Sequence, residues 1–355
     1  MADLDDLAAI KKLDLQNLSG SILALADQVR QVVAGKDKIV VPRAYYGVSN
    51  IVVAGMGGSA LGPEIVRHLF APKVKVPITI VRDYSLPAFV DQNTLLILSS
   101  YSGNTEETLA AGEEGLKKGA KIVGIATGGK LEQFLKTNSL PSYIFEPKFN
   151  PCGQPRMGLG YSIFGILSIL TQAGLLDISN SEIEMAIKEI EKANNRFNLE
   201  VLRVKNPAKQ LAEKINGKIP IVVGAEFLAG NVHTIANQIN ENAKTFSSWF
   251  LLPELDHHLL EGLANPKSNH KNLAFLFLDS NLYSLRIQKR VGVTKEVIGK
   301  NGVEFLEFKP GGHSELEQSF EVMVFGSWLS FYLAILADLD PTPIPWVNFL
   351  KEKLG

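Results

Sequence analysis

Short apolar runs that alternate with helix-like segments give the chain its predicted architecture. In the first half the apolar runs lack polar alternation, which is typical of strands buried on both faces of a parallel sheet. We predict strands at residues 50–54, 76–83, 94–100, 120–127 and 141–147, and a helix at 102–119. Helices between the strands would cover both faces of this sheet.

The alternation of strands and helices restarts at about residue 207. Strands are predicted at 218–226, 272–280 and 303–312, and helices at 228–244 and 284–302. The two halves are only weakly similar in sequence, but both carry the same order of elements. The pattern therefore predicts an α/β fold of two doubly wound parallel-sheet domains with flanking helices.

The remaining segments are predicted to be helical. Residues 1–45 have helical spacing and are expected to pack on the first domain. An apolar tract near residues 325–339 carries serine and tryptophan and is interpreted as a core helix. Because 355 residues suit two domains better than one core, we predict a first domain at 1–150, a bridge at 151–206 and a second domain at 207–355.

Composition narrows the classes of function. The net charge of −1 favours neither a nucleic acid nor a membrane surface. Cys152 is the only cysteine, so an internal disulfide is impossible, which fits a reducing cytoplasm. The acidic, amphipathic N-terminal sequence is not that of a signal peptide, and no apolar run reaches membrane-spanning length.

A glycine-rich turn after the first strand is a candidate phosphate cradle. Residues 52–63 read VVAGMGGSALGP, so that an apolar strand runs into Gly57 and Gly58 and then into a helix. Glycines let backbone N–H groups approach an anion, and the helix N-terminus adds the positive end of its dipole. Ser59 contributes a hydroxyl group.

A second loop carries three hydroxyl groups within six residues. Residues 99–108 read SSYSGNTEET and place Ser100, Ser102 and Thr105 between a buried strand and a helix. Each of these residues alone fits ordinary helix capping. The two loops together lie at carboxyl ends of parallel strands, where open α/β sheets bind ligands, so the pair favours phosphate binding without lysine or metal.

Dinucleotide binding is the competing interpretation. Gly55-x-Gly57-x-x-Ala60 fits the nucleotide fingerprint, and Asp83 follows at the distance of a ribose-binding acid. An NAD(P)-dependent oxidoreductase therefore stays open as an alternative. The hydroxyl-rich second loop suits a terminal phosphate better.

Candidate acid–base residues lie in the second half. Glu241 stands in NENAK at residues 240–244, near the end of a predicted helix, and PELDHHLLEG follows at 253–262. A carboxylate partly removed from water can act as a general base, although a solvated helix-end glutamate is the simpler interpretation. The four-residue spacing of His257 and Glu261, or of Glu254 and His258, also fits metal ligation, but only His313 and Glu315 are nearby candidates for further ligands.

Two basic residues complete the set of candidates. Arg156 stands in a Gly/Pro-rich loop, from which a guanidinium group could reach an anionic intermediate or simply pair with a surface acid. Lys351, in the predicted terminal helix, is by itself typical of a solvated lysine.

Together these stretches resemble the sugar isomerase (SIS) superfamily, and within it the bifunctional phosphoglucose/phosphomannose isomerases of archaea and some bacteria. The matching pieces span nearly the whole chain in the family's order. They are GMGGSALGPEIV (55–66), SSYSGNTEET (99–108), GQPRMGLGY (153–161), NENAK (240–244), PELDHH (253–258) and DPTPIPWVNFLK (340–351).

The resemblance implies two SIS domains and an aldose–ketose isomerase that interconverts glucose 6-phosphate, and mannose 6-phosphate, with fructose 6-phosphate through a cis-enediolate. It implies Glu241 as the base, Arg156 as the group that stabilises the enediolate, and His257 and Lys351 in ring opening. The implied phosphate-binding residues are Gly58, Ser59, Ser100, Ser102 and Thr105. It also implies a cytoplasmic homodimer that contributes His257 across its interface, a place in glycolysis and gluconeogenesis, and no metal or nucleotide cofactor.

The sequence departs from the family pattern at two places: residues 195–207 form a longer stretch than the family's minimum, expected to be a surface elaboration, and one motif differs. The usual PELNHN is PELDHH here, so Asp256 and His258 replace asparagines, and His258 could compete for the role of His257. A non-catalytic SIS protein that senses a phosphosugar stays open as a second alternative. Such a protein would keep both hydroxyl-bearing loops but could lose Glu241, which this chain retains.

Overall fold

The computed structural model describes residues 2–36 and 39–354; Met1, Asp37, Lys38 and Gly355, which belong to predicted helical segments, lie outside the described residues. The strands are β1 Asn50–Ala54, β2 Ile78–Val81, β3 Thr94–Ser99, β4 Lys121–Ala126, β5 Ser142–Ile144, β6 Ile219–Ala225, β7 Ser248–Leu252, β8 Leu273–Leu278 and β9 Glu304–Phe308. The helices are α1 Leu7–Leu13, α2 Leu18–Leu23, α3 Leu25–Ala34, α4 Gly58–Leu69, α5 Glu106–Lys117, α6 Gly129–Thr137, α7 Leu159–Gln172, α8 Asn180–Phe197, α9 Pro207–Ile215, α10 Ala229–Asn242, α11 Leu259–Gly262, α12 Asn269–Asn272, α13 Leu285–Lys300, α14 Glu315–Leu336 and α15 Pro345–Leu354.

Two parallel sheets carry the fold, and they share one strand order. The first sheet is ordered β2-β1-β3-β4-β5 and the second β7-β6-β8-β9, so the second repeats the first without its last strand. All strand pairs are parallel. The predicted fold class, two doubly wound parallel sheets with flanking helices, is confirmed.

The first sheet belongs to a compact unit formed by Ala24–Lys188 with Phe227–Gly230. Its central strand β3 reads TLLILS and is buried along its whole length, because helices remove both faces from water. The reversal of strand order lies between β1 and β3, and in sheets of this order ligands bind at the carboxyl ends of the strands at that point. Both candidate phosphate loops follow these two strands.

The second sheet belongs to a unit that comprises the described residues before Ala24, Glu189–Glu226 and those from Asn231 onwards. Its centre is α14, which begins at a capping box made by Ser314 and Glu317. The expectation that no apolar run reaches membrane-spanning length is wrong for this helix, which is long and apolar enough to cross a membrane, but its apolar window is entirely buried within the fold. It is therefore a core helix, as predicted.

The expectation that all of residues 1–45 pack on the first domain is wrong for α1 and α2. Lys209 is fully buried, and its ammonium group lies 3.0 Å from a carboxylate oxygen of Asp5. The amide of Asn194 donates to the carbonyl of Ile22 at 3.1 Å. These bonds tie the N-terminal helices to the unit of the second sheet. The predicted domain bounds at 150 and 206 stay a prediction.

Strand β7 is missing from the sequence-based prediction. It lies at the edge of its sheet and pairs only with β6, with Trp249 opposite Val222. Four of its five residues are only partly buried or exposed. A short edge strand of this kind has neither the continuous burial nor the strict alternation that identifies a strand from sequence.

Candidate active site

The turn between β1 and α4 has the backbone conformation of an anion cradle. Gly57 has φ +48° and ψ −127°, a combination that side-chain-bearing residues rarely adopt. A Cβ atom on Gly58 would lie 2.5 Å from the backbone nitrogen of Arg156, so only glycine permits this close approach. The cradle and the loop that carries Arg156 are therefore packed directly against each other.

Ser59 and the second loop form one hydrogen-bonded group. The Ser59 hydroxyl oxygen accepts a hydrogen bond from the backbone nitrogen of Tyr101 at 2.9 Å. The hydroxyl oxygens of Ser100 and Thr105 lie 2.8 Å apart. Ser102 is exposed at the turn between them. The five predicted phosphate-binding residues thus belong to two loops that are joined by hydrogen bonds.

Both helices that follow these loops begin without a side-chain cap. Neither Gly57, the N-cap of α4, nor Thr105, the N-cap of α5, provides a side-chain hydrogen bond to its helix. Capping, the alternative explanation for the hydroxyl-bearing residues, therefore does not describe Thr105. At the start of α4 the Ser59 and Ala60 N–H groups donate to the backbone carbonyls of Met56 and Gly57, both at 3.0 Å. The helix dipole still favours an anion at the start of each of these twelve-residue helices.

Arg156 is held inside the fold by a network that the sequence did not indicate. The guanidinium is fully buried, and its Nη1 donates to the side-chain oxygen of Gln154 at 2.9 Å. The amide of Asn150 donates to the backbone carbonyl of Gln154 at 2.9 Å and to the Tyr101 hydroxyl at 2.7 Å. Burial raises the pKa of the Tyr101 hydroxyl well above its usual range, so this group stays neutral. The network connects the arginine loop to the second phosphate loop.

The second sheet has a corresponding crevice at its own strand-order reversal, and it differs in one respect from the crevice beside β1 and β3. There the strand-order reversal lies between β6 and β8, and Glu226 directly follows β6. Its carboxylate accepts hydrogen bonds from the Ser284 backbone nitrogen at 3.0 Å and from the Ser284 hydroxyl at 2.7 Å. An internal carboxylate therefore binds the loop that follows β8, so the crevice beside β1 and β3 is the better candidate for an external phosphate.

Glu241 lies in the last turn of α10 and is partly exposed. Buried amide and hydroxyl groups fix the register of this helix against α14. The pairs are Asn231 with Ser319 at 2.8 and 2.9 Å, Gln238 with Ser327 at 3.1 Å, and Asn242 with Ser330 at 3.0 Å. If α10 shifted by one turn along α14, these buried polar groups would lose their partners. The pairs therefore fix the position of the Glu241 backbone at the end of α10.

His257 ends a 3₁₀ helix, Glu254–His257, that is anchored through its neighbour Asp256. The Asp256 carboxylate accepts hydrogen bonds from the Arg290 guanidinium and from the Thr294 hydroxyl, both at 2.7 Å. Asp256 thus forms an ion pair with Arg290 of α13. An open cleft of about 370 Å³ lies beside it, lined by Asp256, His257, His258, Leu260, Glu261, Ala264, Val297 and Asn301.

Lys351 lies on α15, whose residues are exposed or nearly so along its whole described length. Glu241, His257 and Lys351 therefore belong to three different elements of the unit that holds the second sheet, whereas Arg156 and the phosphate loops belong to the other unit. Within residues 2–36 and 39–354, no group of three His, Cys, Asp or Glu side chains is placed to hold a metal ion.

Two residues of the first unit escaped the sequence analysis. Tyr101 stands inside the second loop, but a tyrosine between serines gives no signal of the bonds it makes to Ser59 and Asn150. Asn150 precedes the Gly/Pro-rich loop and is buried. The one feature of the sequence that could have indicated a role for Asn150 is its position directly before this Gly/Pro-rich loop.

The two parallel sheets define a two-domain α/β protein of the SIS type, and residues 204–354 match the family described as the bacterial phospho-glucose isomerase C-terminal SIS domain. A bifunctional phosphoglucose/phosphomannose isomerase from Caldicellulosiruptor bescii is 35% identical over 345 residues, which cover 94% of this chain and 98% of the relative. The chain belongs to the family of bifunctional phosphoglucose/phosphomannose isomerases.

Two further comparisons agree with this assignment. A bifunctional phosphoglucose/phosphomannose isomerase from Aquifex aeolicus is 34% identical over 305 residues, which cover 86% of this chain and 90% of the relative. The solved structure of a hypothetical protein from Thermus thermophilus superposes with a TM-score of 0.73 over 98% of this chain and 93% of that chain. At 17% identity, this last likeness concerns the fold alone.

Proposed function

We propose that this protein interconverts glucose 6-phosphate, and mannose 6-phosphate, with fructose 6-phosphate through a cis-enediolate. The observation that carries the proposal is the contact between Gly58 and the backbone of Arg156: the glycine turn proposed to bind phosphate packs against a loop with a fully buried arginine. Membership of a family whose members are named for these two isomerisations supports the choice of substrate.

In the proposed mechanism, the sugar phosphate is held by its dianion, far from the reacting carbons. Gly58, Ser59, Ser100, Ser102 and Thr105 bind the phosphate, and this remote binding orients C1 and C2. His257 and Lys351 open the ring by moving a proton between the ring oxygen and the C1 hydroxyl. No metal or nucleotide takes part.

Glu241 then removes the C2 proton of the open-chain aldose, and the electron pair moves to form the C1–C2 double bond of the enediolate. Arg156 stabilises the negative charge on its oxygen atoms. Return of the proton to C1, with the hydroxyl proton transferred from O2 to O1, gives the ketose. Formation of the same enediolate from either C2 epimer accounts for both aldoses.

The test is an incubation of the protein with fructose 6-phosphate and EDTA, without nucleotide. We expect both glucose 6-phosphate and mannose 6-phosphate to form. Absence of any aldose, with fructose 6-phosphate still bound, would instead support a non-catalytic phosphosugar-binding protein. A requirement for NAD(P) would support the oxidoreductase alternative.

We also propose that the protein is a cytoplasmic homodimer, acting in glycolysis and gluconeogenesis, in which His257 serves the active site of the partner. The exposure of His257 and of the apolar residues Trp346 and Leu354 supports an interface on this unit. Mixing Glu241→Gln and His257→Ala proteins is expected to restore part of the activity, because mixed dimers would contain one intact site. Two inactive proteins that stay inactive after subunit exchange would contradict the shared site.

Two of the three candidate hydroxyl groups of the second loop, those of Ser102 and Thr105, are expected to govern substrate affinity. Ser102→Ala and Thr105→Ala should each raise KM for fructose 6-phosphate by about 10- to 100-fold, the loss of one hydrogen bond to a charged group, with kcat changed much less. Steady-state kinetics measure both constants. Ser181→Ala, at an exposed serine of the same unit, serves as the control, and an unchanged KM in both loop variants would remove these residues from the phosphate site.

A further inference from the structure

We propose that Lys244 is a positioning residue that ties the helix carrying Glu241 to the segment leading to Lys351. The inference rests on the proposed function, because it concerns how two of the proposed active-site side chains are held. Lys244 is the last residue of the NENAK run and lies two residues beyond Asn242, the end of α10. Nothing in its position along the sequence distinguishes it from an ordinary surface lysine.

The Lys244 ammonium group contacts two backbone carbonyls that are far apart in sequence. It donates to the carbonyl of Asn242, the last residue of α10, at 3.0 Å and to the carbonyl of Asp340 at 2.7 Å. A cation at the C-terminal end of a helix is also favoured by the helix dipole. One side chain therefore restrains the last turn of α10, which carries Glu241, and holds the start of the terminal segment against it.

The backbone conformation of Lys244 gives a second, independent indication that its side chain has a positioning role. Lys244 has φ +50°, in the left-handed region where glycine or asparagine is usual after a helix. A residue with a Cβ atom is strained there, by about 1 kcal/mol or more. Glycine at this position would relieve the strain but would lose the ammonium group, so the chain retains a side chain at the expense of backbone strain.

The hydrogen bond from Lys244 to the Asp340 carbonyl lies at the start of the terminal segment, which leads from Asp340 to α15. Thr342 is fully buried, and its backbone nitrogen donates to the Asp340 carboxylate at 2.9 Å. Beyond it, α15 is exposed. The position of Lys351 therefore depends on how the chain is fixed near Asp340, which is where Lys244 binds.

Lys244→Gly separates positioning from folding. The variant removes the tether and the backbone strain together, so its resistance to urea should equal or exceed that of the unaltered protein. Its kcat should fall by about 10- to 100-fold, the effect expected when reacting groups are displaced by about 1 Å, while KM changes less than about twofold. Hydrogen exchange of the amides near Asp340 should become faster, which can be measured without turnover.

Lys244→Arg is the conservative variant and should recover most of the lost kcat, because a guanidinium can donate to both carbonyls. Lys300→Gly, at an exposed lysine that ends α13, is the matched control and should leave kcat unchanged. A Lys244→Gly protein with unchanged kcat and unchanged exchange overturns the inference, and so does a loss of kcat that follows a loss of stability and is not recovered by arginine. Failure of the proposed function would show earlier, as an unaltered protein that forms no aldose.

Discussion

Replacement of Glu241 by glutamine is expected to lower kcat for the isomerisation by about 10²- to 10⁴-fold, the usual contribution of a general base. The amide keeps the size and hydrogen-bonding reach of the side chain but cannot accept the C2 proton. Because the proposed phosphate-binding residues are in other loops, KM for fructose 6-phosphate should change little. The same variant should lose exchange of the C2 hydrogen of glucose 6-phosphate with deuterium from solvent.

Two further variants serve as an intermediate case and a control for the Glu241→Gln experiment. Glu241→Asp keeps the carboxylate but withdraws it by one methylene group, so an intermediate kcat is expected. Glu254→Gln, at an exposed glutamate of the 3₁₀ helix Glu254–His257, should leave kcat unchanged. Turnover retained by Glu241→Gln would show that another group removes the proton and would end the assignment of Glu241 as the base.

Arg156→Lys should produce the second large loss, a fall in kcat of about 10²- to 10³-fold, as for removal of one donor to a developing oxyanion. Lysine keeps the charge, but it lacks the planar fork that lets one side chain donate to Gln154 and to a substrate oxygen at once. The fully buried position leaves little room for another geometry. Stopped-flow or steady-state kinetics on folded protein, checked by circular dichroism, measure this effect.

Gln154→Ala tests whether the network around Arg156 matters. Loss of the 2.9 Å bond to Nη1 should lower kcat less than Arg156→Lys does, because the guanidinium itself remains. If Arg156→Lys instead raises KM more than tenfold with kcat intact, the arginine binds the phosphate and does not stabilise the enediolate. The two outcomes are mutually exclusive, so the kinetics decide the role of Arg156.

The local pattern of apolar, polar and glycine residues predicted the parts of the fold that depend on residues close together in the chain. The buried strands, the glycine turn at Gly57 and Gly58 and the helix after Thr105 are all visible in sequence because burial and backbone conformation follow short-range periodicity. The edge strand β7 was missed because it is short and only partly buried. The packing of α1 and α2 was wrong because an amphipathic pattern shows that a helix buries one face, not which domain covers it.

For the candidate site, too, the sequence indicates continuous motifs but not the contacts between them. The sequence proposed both candidate phosphate loops, the Arg156 loop and the motif around Glu241, since each is a continuous stretch, and their roles stay predictions. It did not indicate the side-chain bonds that hold them, which join residues distant along the chain. Asn150 and Tyr101 are 49 residues apart, Asp256 and Thr294 are 38 apart, and Lys244 and Asp340 are 96 apart.

The sequence by itself therefore determined the class of fold, the likeness to SIS isomerases and the candidate residues, because these depend on composition, period and contiguous motifs. Only the tertiary structure decided that Gly58 packs on the backbone of Arg156, that Asp256 is paired with α13 and that Lys244 ties α10 to the terminal segment. Those contacts arise when packing brings distant backbone and side-chain groups within hydrogen-bonding distance. That distance is a property of the folded chain and has no counterpart in local sequence pattern.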